Sequence, residues 1–319
     1  MAVIDVPAGV AARVVEFSPF EKSKELLAIG CDNLLSVGTC EFESEANYDE
    51  GILSNVTFGG LLDVHHADRV CAMAWSPLSQ WGNGPTAIRL STVGFGGALR
   101  YISSDLSETT VKILTGHSGF VNDCTFLQSS EGQLLASVGD DGTCRLWDVE
   151  AGVQKMLIKL KSPGMSVCWH PSDPVKLMVS EKIARIRFYD LIAEQPIVSL
   201  DAGRVTMMSA DWCPVNSMLV GATANENWHV WDLSASSQPI QSGLAHQTMG
   251  SQFRWCRQGE LLFSTTSTLD KEFKLHHRGH QKVPISMSLT QCGSSSWQCT
   301  TPVCGIADGR QIRLFSSEL

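Results

Sequence analysis

The chain is poor in charge and holds no long apolar run. Only 18% of its 319 residues are Asp, Glu, Lys or Arg, and no uninterrupted apolar stretch approaches the roughly 18 residues of a membrane-spanning helix. The opening MAVIDVPAGVAARVV has no basic start, and Asp5 and Pro7 interrupt the place where the apolar part of a secretion signal has to run. The closing Ser317-Glu318-Leu319 lacks the basic middle residue of the peroxisomal address. These absences lead to the expectation of an intracellular, soluble protein without membrane insertion. The eleven cysteines are odd in number and contain no CxxC pair, and Cys168, Cys213 and Cys256 lie directly beside tryptophans. They read as small reduced core residues, not as a disulfide framework.

A basic excess is missing too. Net charge is −9, and the stretch Glu25 to Asp68 carries nine acidic residues with no Lys or Arg, while the remaining 24 acids are matched by the 24 basic residues of the whole chain. Direct nucleic-acid binding rests on phosphate neutralisation, so none is expected here, and the partner expected is protein. Catalytic signatures are absent as well: there is no GxSxG, no HExxH, and Gly94-Phe95-Gly96-Gly97 lacks the Gly-Lys-Ser/Thr ending of a phosphate loop. His276, His277 and His280 with Cys292, Cys299 and Cys304 do not make a zinc pattern. Adjacent strand residues point to opposite faces, and the cysteines fall in another repeat at irregular spacing. These histidines read as surface-loop residues, and the chain is expected to hold no cofactor and no metal and not to be an enzyme.

What is present is a period. Phe17, Trp75, Phe126, Trp169, Trp212, Trp255 and Trp297 are separated by 58, 51, 43, 43, 43 and 42 residues. Several of these anchors sit in FSP, WSP, WHP and WCP runs, and RLWD, RFYD and HVWD end at Asp148, Asp190 and Asp232 about 20 residues after an anchor. A repeat of roughly 40–45 residues with a Trp-Asp signature marks the blade of a β-propeller. The expectation is an all-β, seven-bladed WD40 propeller spanning residues 1–319 as one domain, each blade having strands a to d from the channel outward.

Blade 3 is the most regular: Gly116-His117, strand VNDCTF, strand LLASV, the Asp140-Asp141-Gly142 turn, then TCRLWD. His117, Ser137, Asp141 and Trp147 fall at the positions of the hydrogen-bonded tetrad that staples such blades, which makes blade 3 the expected keystone of stability. The other blades keep the period and lose most of the tetrad. His66 and His246 share the offset of His117, His246 being expected at a blade edge, and blade 6 ends its third strand in Phe273-Lys274-Leu275-His276. The last repeat stops at Ile312 to Phe315 with no fourth strand. Ala2 to Val10 is therefore expected to close the ring as the outer strand of blade 7, the alternative being a frayed end.

Two repeats are stretched, between Cys40 and Leu61 and between Leu78 and Pro85. Strand d of blade 1 is expected near Leu61 to His65. Connections a–b and c–d emerge on one rim, so both insertions crowd the same side of adjacent blades. Phe42, Tyr48 and Trp81 as apolar anchors, with Glu41, Glu43 and Glu45 as an acidic surround, are the candidate protein-binding residues; the alternative is a pair of idle loops.

SPGMSVCWHP at Ser162 to Pro171, KLMVSEK at Lys176 to Lys182 and IRFYDL at Ile186 to Leu191 resemble the thirty-seven-kilodalton WD-repeat nucleoporins of animals, as do VVEFSPFE at Val14 to Glu21, GTCEF at Gly38 to Phe42 and MSADWC at Met208 to Cys213. Blade order and length agree across the chain, with looser agreement in blades 6 and 7 and at Leu78 to Pro85. The resemblance implies a non-catalytic scaffold subunit of the Y-shaped nuclear-pore complex, supporting pore assembly and nucleocytoplasmic transport at the nuclear envelope. It implies one copy within a hetero-oligomer, docked chiefly on the large helical nucleoporin of one Y-arm, and a visit to kinetochores in mitosis. No short motif marks the family's contact residues. Two other classes use this fold, cullin-ligase substrate receptors and the soluble peroxisomal import receptor. The first shows Arg two residues after a Trp-Asp, where this chain has Glu150 and Ser234.

Overall fold

The computed structural model describes residues 1–6, 10–42, 56–128, 133–280 and 285–316. Each anchor ends a β-rich run, of six residues in six blades and of four (Gln252–Trp255) in blade 6, that forms the innermost strand of a four-stranded antiparallel sheet, and seven such sheets are present. Blade 3 shows the pattern: Val121–Phe126, Leu134–Gly139, Thr143–Asp148 and Val153–Lys159 pair in sequence order. The turn between its second and third strands needs Gly142, whose φ of +67° is costly for any residue with a Cβ. Helix is confined, among the described residues, to one 3-10 turn at Glu21–Ser23. Among the described residues, no helix is long and apolar enough to cross a membrane.

The core lies between the blades. Seven buried clusters alternate with the seven sheets, and each holds one anchor: Phe17, Trp75, Phe126, Trp169, Trp212, Trp255 or Trp297. The spacing of the anchors is therefore the spacing of the layers. Three indoles also reach backwards: Trp75, Trp169 and Trp255 donate their Nε1–H to the carbonyls of Glu16, Thr125 and Asp211 at 2.9, 3.2 and 3.2 Å, each acceptor being the fifth residue of the preceding innermost strand. Gly221 leaves the room that Phe253 of the next blade fills, since a Cβ there meets the ring.

An innermost strand has an edge facing the channel whose N–H groups lack a fifth strand to pair with. Side chains of the neighbouring blade accept them. Asp123 accepts from Val167 N at 3.0 Å, Ser166 from Ala210 N at 2.9 Å, Asp211 from Trp255 N at 2.9 Å, and Gln252 from Ser295 N at 2.7 Å. Ser294 and Ser296 complete the circuit by accepting from Val15 N and Phe17 N at 2.9 and 3.0 Å. A bulge after the first residue of the innermost strand, as at Val121/Asp123 and Gly164/Ser166, helps turn these side chains toward the channel.

Closure is achieved by the N-terminal strand. Ala2–Asp5 pairs antiparallel with Gln311–Ser316, Ile4 opposite Ile312, and the fourth strand of blade 7 is thus supplied from the other end of the chain. The strand is shorter than the expected Ala2 to Val10, and Pro7 to Gly9 lie outside the described residues. Ile4 and Val6 are buried in the layer shared by blades 7 and 1. Full burial of such side chains contributes about 1.5–3 kcal/mol each, so a chain beginning at Ala11 should melt several degrees lower and aggregate more readily. Thermal unfolding of that chain beside the full one tests the closure, and identical melting curves refute it.

Candidate protein-interaction site

Blade 3 carries the complete polar staple. His117 Nδ1 lies 2.9 Å from Asp141 Oδ2 and its Nε2 lies 2.8 Å from Ser137 Oγ, which also accepts Trp147 Nε1–H at 2.8 Å. Asp141 further accepts Ser118 N and the Thr143 hydroxyl. Burial pushes the His117 pKa down while Asp141 pulls it up, the net being downward.

Register shows what the other blades made of the same positions. Blade 2 keeps His66, bonded to Thr92 at 3.0 Å, and has Ile102 at the indole position. Blade 5 keeps the indole as Trp231 but has Ala222 in the place of Ser137; the fully buried Trp231 Nε1–H has no acceptor among the described residues. Blade 4 replaces the staple by a buried ion pair, Glu181 to Arg187 at 3.0 Å, with Glu181 also accepting Lys161 N and Ser162 N. Blade 6 has Thr265 bonded at 2.9 Å to His276, which stands where blade 3 has Trp147.

Two expectations are corrected here. His276 is not a surface-loop residue but lies buried on the strand Glu272–His277, because it substitutes for an indole in an inter-blade layer. His246 is not at a blade edge but fully buried on the connection that enters blade 6, where its backbone N–H donates to Glu226 O at 3.1 Å. Burial lowers both imidazoles, His246 to about 4 and His276 to about 3, so both are neutral. The blade-4 ion pair and the His276 substitution escaped the motif reading. Alignment of the fourth residue of strand b and the fifth of strand c across the repeats is the signal that finds His276.

The candidate rim residues fall as follows. Strands c and d of blade 1 run longer than expected, Leu34–Phe42 and Val56–His65, pairing Glu41 with Thr57 and Phe42 with Val56. Part of the insertion is therefore an extended hairpin. Glu41 is exposed at its end, and Phe42 is half-buried with its ring 6.2 Å from Phe17, on the blade 7 side of blade 1. Glu43, Glu45 and Tyr48 lie outside the described residues. On the other side of blade 1, Trp81 packs half-buried against the layer shared by blades 1 and 2, as Phe20 and Leu61 do, and its backbone N–H donates to Lys22 O at 2.9 Å. The blade 2 insertion is thus clasped to blade 1, and Phe42 and Trp81 bracket that blade.

The channel adds charge, with Asp123 buried and Glu16 and Arg254 half-buried. Glu16 is pushed up to about 7, by burial first, against the pull of Arg254 and Arg257 and helped by Asp123 and Asp211. Burial pushes Asp123 up to about 6, while the carboxylates hold the guanidinium of Arg254 protonated. All eleven cysteines are free, and burial raises the pKa of each, which leaves them poor nucleophiles.

Seven blades and the Trp-Asp staple define a WD-repeat β-propeller. The WD domain, G-beta repeat model matches residues 108–148, the stretch that contains the one complete staple. Over 313 residues the chain is 42% identical to nucleoporin Nup37 of Homo sapiens and 41% identical to nucleoporin Nup37 of Mus musculus, covering 96% of this chain and 94% of each relative. Nucleoporin Nup37 of Drosophila melanogaster is 28% identical over 289 residues, 90% of this chain and 87% of that protein. The chain belongs to the Nup37 family of WD-repeat nucleoporins.

Two predictions follow from the geometry. Ala222→Ser returns an acceptor to the orphaned Trp231 indole, and a buried hydrogen bond of this kind contributes about 1 kcal/mol; a higher denaturation midpoint for this variant is expected, and an unchanged or lower one refutes the assignment. Glu16 has a folded-state pKa above its unfolded one, so its favourable contribution is full below about 4.5 and is lost as pH rises through about 7. Glu16→Gln should match the parent protein near pH 5 and melt above it at pH 8. A difference that does not grow with pH contradicts this.

Proposed function

We propose that this nucleoporin is a non-catalytic scaffold subunit of the Y-shaped complex, located at the nuclear pore in the nuclear envelope, and that it docks on the large helical nucleoporin of one Y-arm through the rim around blade 1. In this reading it supports pore assembly and transport, accompanies the complex to kinetochores in mitosis, and contacts neither nucleic acid nor the bilayer. The reading is supported by one observation above the rest: the two repeats that depart from the 42–43-residue period open on the same rim and flank the same blade, with Glu41 exposed and Phe42 and Trp81 rooted in the layers on either side. Aromatics anchored in a rigid layer lose little freedom on binding, and a surrounding acidic edge favours the approach of a basic helix surface.

Binding kinetics with the purified helical partner test the dock. Trp81→Ala should weaken binding roughly tenfold or more, while Trp81→Phe, which keeps an aromatic ring against the blade 1–blade 2 layer, should lose less. Changing Glu41, Glu43 and Glu45 together to lysine should slow association more than it speeds dissociation. Parent affinity in the alanine and lysine variants, with unchanged melting temperatures, places the dock elsewhere.

A further inference from the structure

Blade 6 contains a polar group that its own fold leaves unused. In blade 3 the histidine of the staple has an acid on one ring nitrogen and a hydroxyl on the other. In blade 6 the corresponding hydroxyl, Thr265, is taken by His276, and neither ring nitrogen of His246 has a hydrogen-bond partner among the described residues although the side chain is 0% exposed. The position that carries Thr143 in blade 3 carries Glu272 in blade 6, by the register of the second and third strands. Glu272 Oε2 lies 3.7 Å from His246 Nδ1, too long for a hydrogen bond, and is itself buried without one. Asp270 stands where Asp141 stands and is fixed by Gln247 N, Thr248 N and the Thr248 hydroxyl. A staple has thus lost its hydroxyl and gained a second carboxylate.

We propose that His246, Asp270 and Glu272 form a binding site for a divalent first-row transition-metal ion. Their donor atoms all lie within 4.8 Å of one another. Ligands about 2.0–2.2 Å from a shared ion stand roughly 3.4 Å apart, so the set, already within 4.8 Å, is closed mainly by movement of the unfixed Glu272 carboxylate toward Asp270 and His246. One neutral imidazole with two carboxylate oxygens suits zinc and its neighbours better than calcium or magnesium, which take oxygen donors throughout. The carboxylates are only half-buried, which leaves a path for entry and room for water in the remaining positions. The Lys274 ammonium, 3.3 Å from Glu272 Oε2, occupies part of the same field, and the ion displaces it. Bound there, the ion ties the connection entering blade 6 to the turn between its second and third strands, the joint that the staple secures in blade 3. The site does not depend on where the helical partner docks.

The full chain, stripped with a chelator, is titrated with Zn2+ by calorimetry and thermal unfolding. One equivalent should bind and raise the melting temperature. Glu272→Gln, which keeps the side chain's shape, should lower the affinity at least about tenfold, and Lys274→Met should raise it. The rings of His277 and His280 lie 4.8 Å apart and offer an exposed alternative, so His280→Ala serves as the control and should bind as the parent does. The site is overturned if the parent chain takes up no Zn2+, if Glu272→Gln binds undiminished, if Lys274→Met binds no tighter, or if His280→Ala abolishes uptake.

Discussion

No blade of this protein can cover its own faces. A four-stranded sheet of mostly apolar inner strands has two sides to bury, and each side here is buried only by the neighbouring blade, so every cluster of the core belongs to two sheets. Stability is consequently a property of the closed circuit. Polar bonds repeat the same logic at the channel, where the innermost strands offer unpaired N–H groups and the preceding blade supplies the acceptor in the four interfaces from blade 3 to blade 7 and in the closing one between blades 7 and 1. The closing interface has two such bonds, from Ser294 and Ser296, in addition to the N-terminal strand on its outer side. The seam where the ends of the chain meet is therefore fastened at both radii.

This division of labour explains how the polar staple can decay without loss of the fold. Burial of an anchor such as Trp255 or Trp169 between two sheets is worth several times a net hydrogen bond. What the staple does is fix the connection that enters each blade, and that task admits different chemistry: Asp141 in blade 3, Glu181 with Arg187 in blade 4, Asp270 in blade 6 and Asp308 in blade 7 all accept backbone N–H groups of the entering loop. An acid caps the loop in each case, and only its position along the strand or turn differs. Blade 5 shows the limit, where loss of the serine acceptor leaves Trp231 with a buried donor and no partner among the described residues. Packing holds that indole in place regardless.

The fold was legible because its determinant repeats at fixed intervals. Trp75, Phe126, Trp169, Trp212, Trp255 and Trp297 each occupy the last place of an innermost strand, and nothing in a repeat's local sequence has to be known for the interval to be read. Less was legible where a residue's meaning depends on its neighbour across a layer. His276 has no feature of its own that marks it as a substitute for an indole; only its register against Thr265 does. His246 looked peripheral because it lies on a connection between strands, and sequence spacing does not show that such a residue is buried. The extension of strand d of blade 1 to Val56 was hidden by Gly59 and Gly60, which weaken a strand signal, whereas in the sheet they stand opposite Thr39 and Gly38, at a bulge where backbones approach closely.

A propeller whose blades are held by shared layers is a stiff body, and in the proposed function that stiffness is what the subunit would offer its helical partner. The rim around blade 1 adds to this: Trp81 is tied to the blade 1 turn through Lys22, and Phe42 leans on Phe17, so any segment seated between them meets side chains whose rotamers the core already limits. The cost of ordering these groups is met during folding and is not charged again on association. An idle loop would have no reason to send its largest side chain into the layer between two blades. In the docking proposed above, the blade 1 insertion, rooted through Phe42 and carrying the exposed Glu41, and the blade 2 insertion, rooted through Trp81, would extend the rigid body toward the partner.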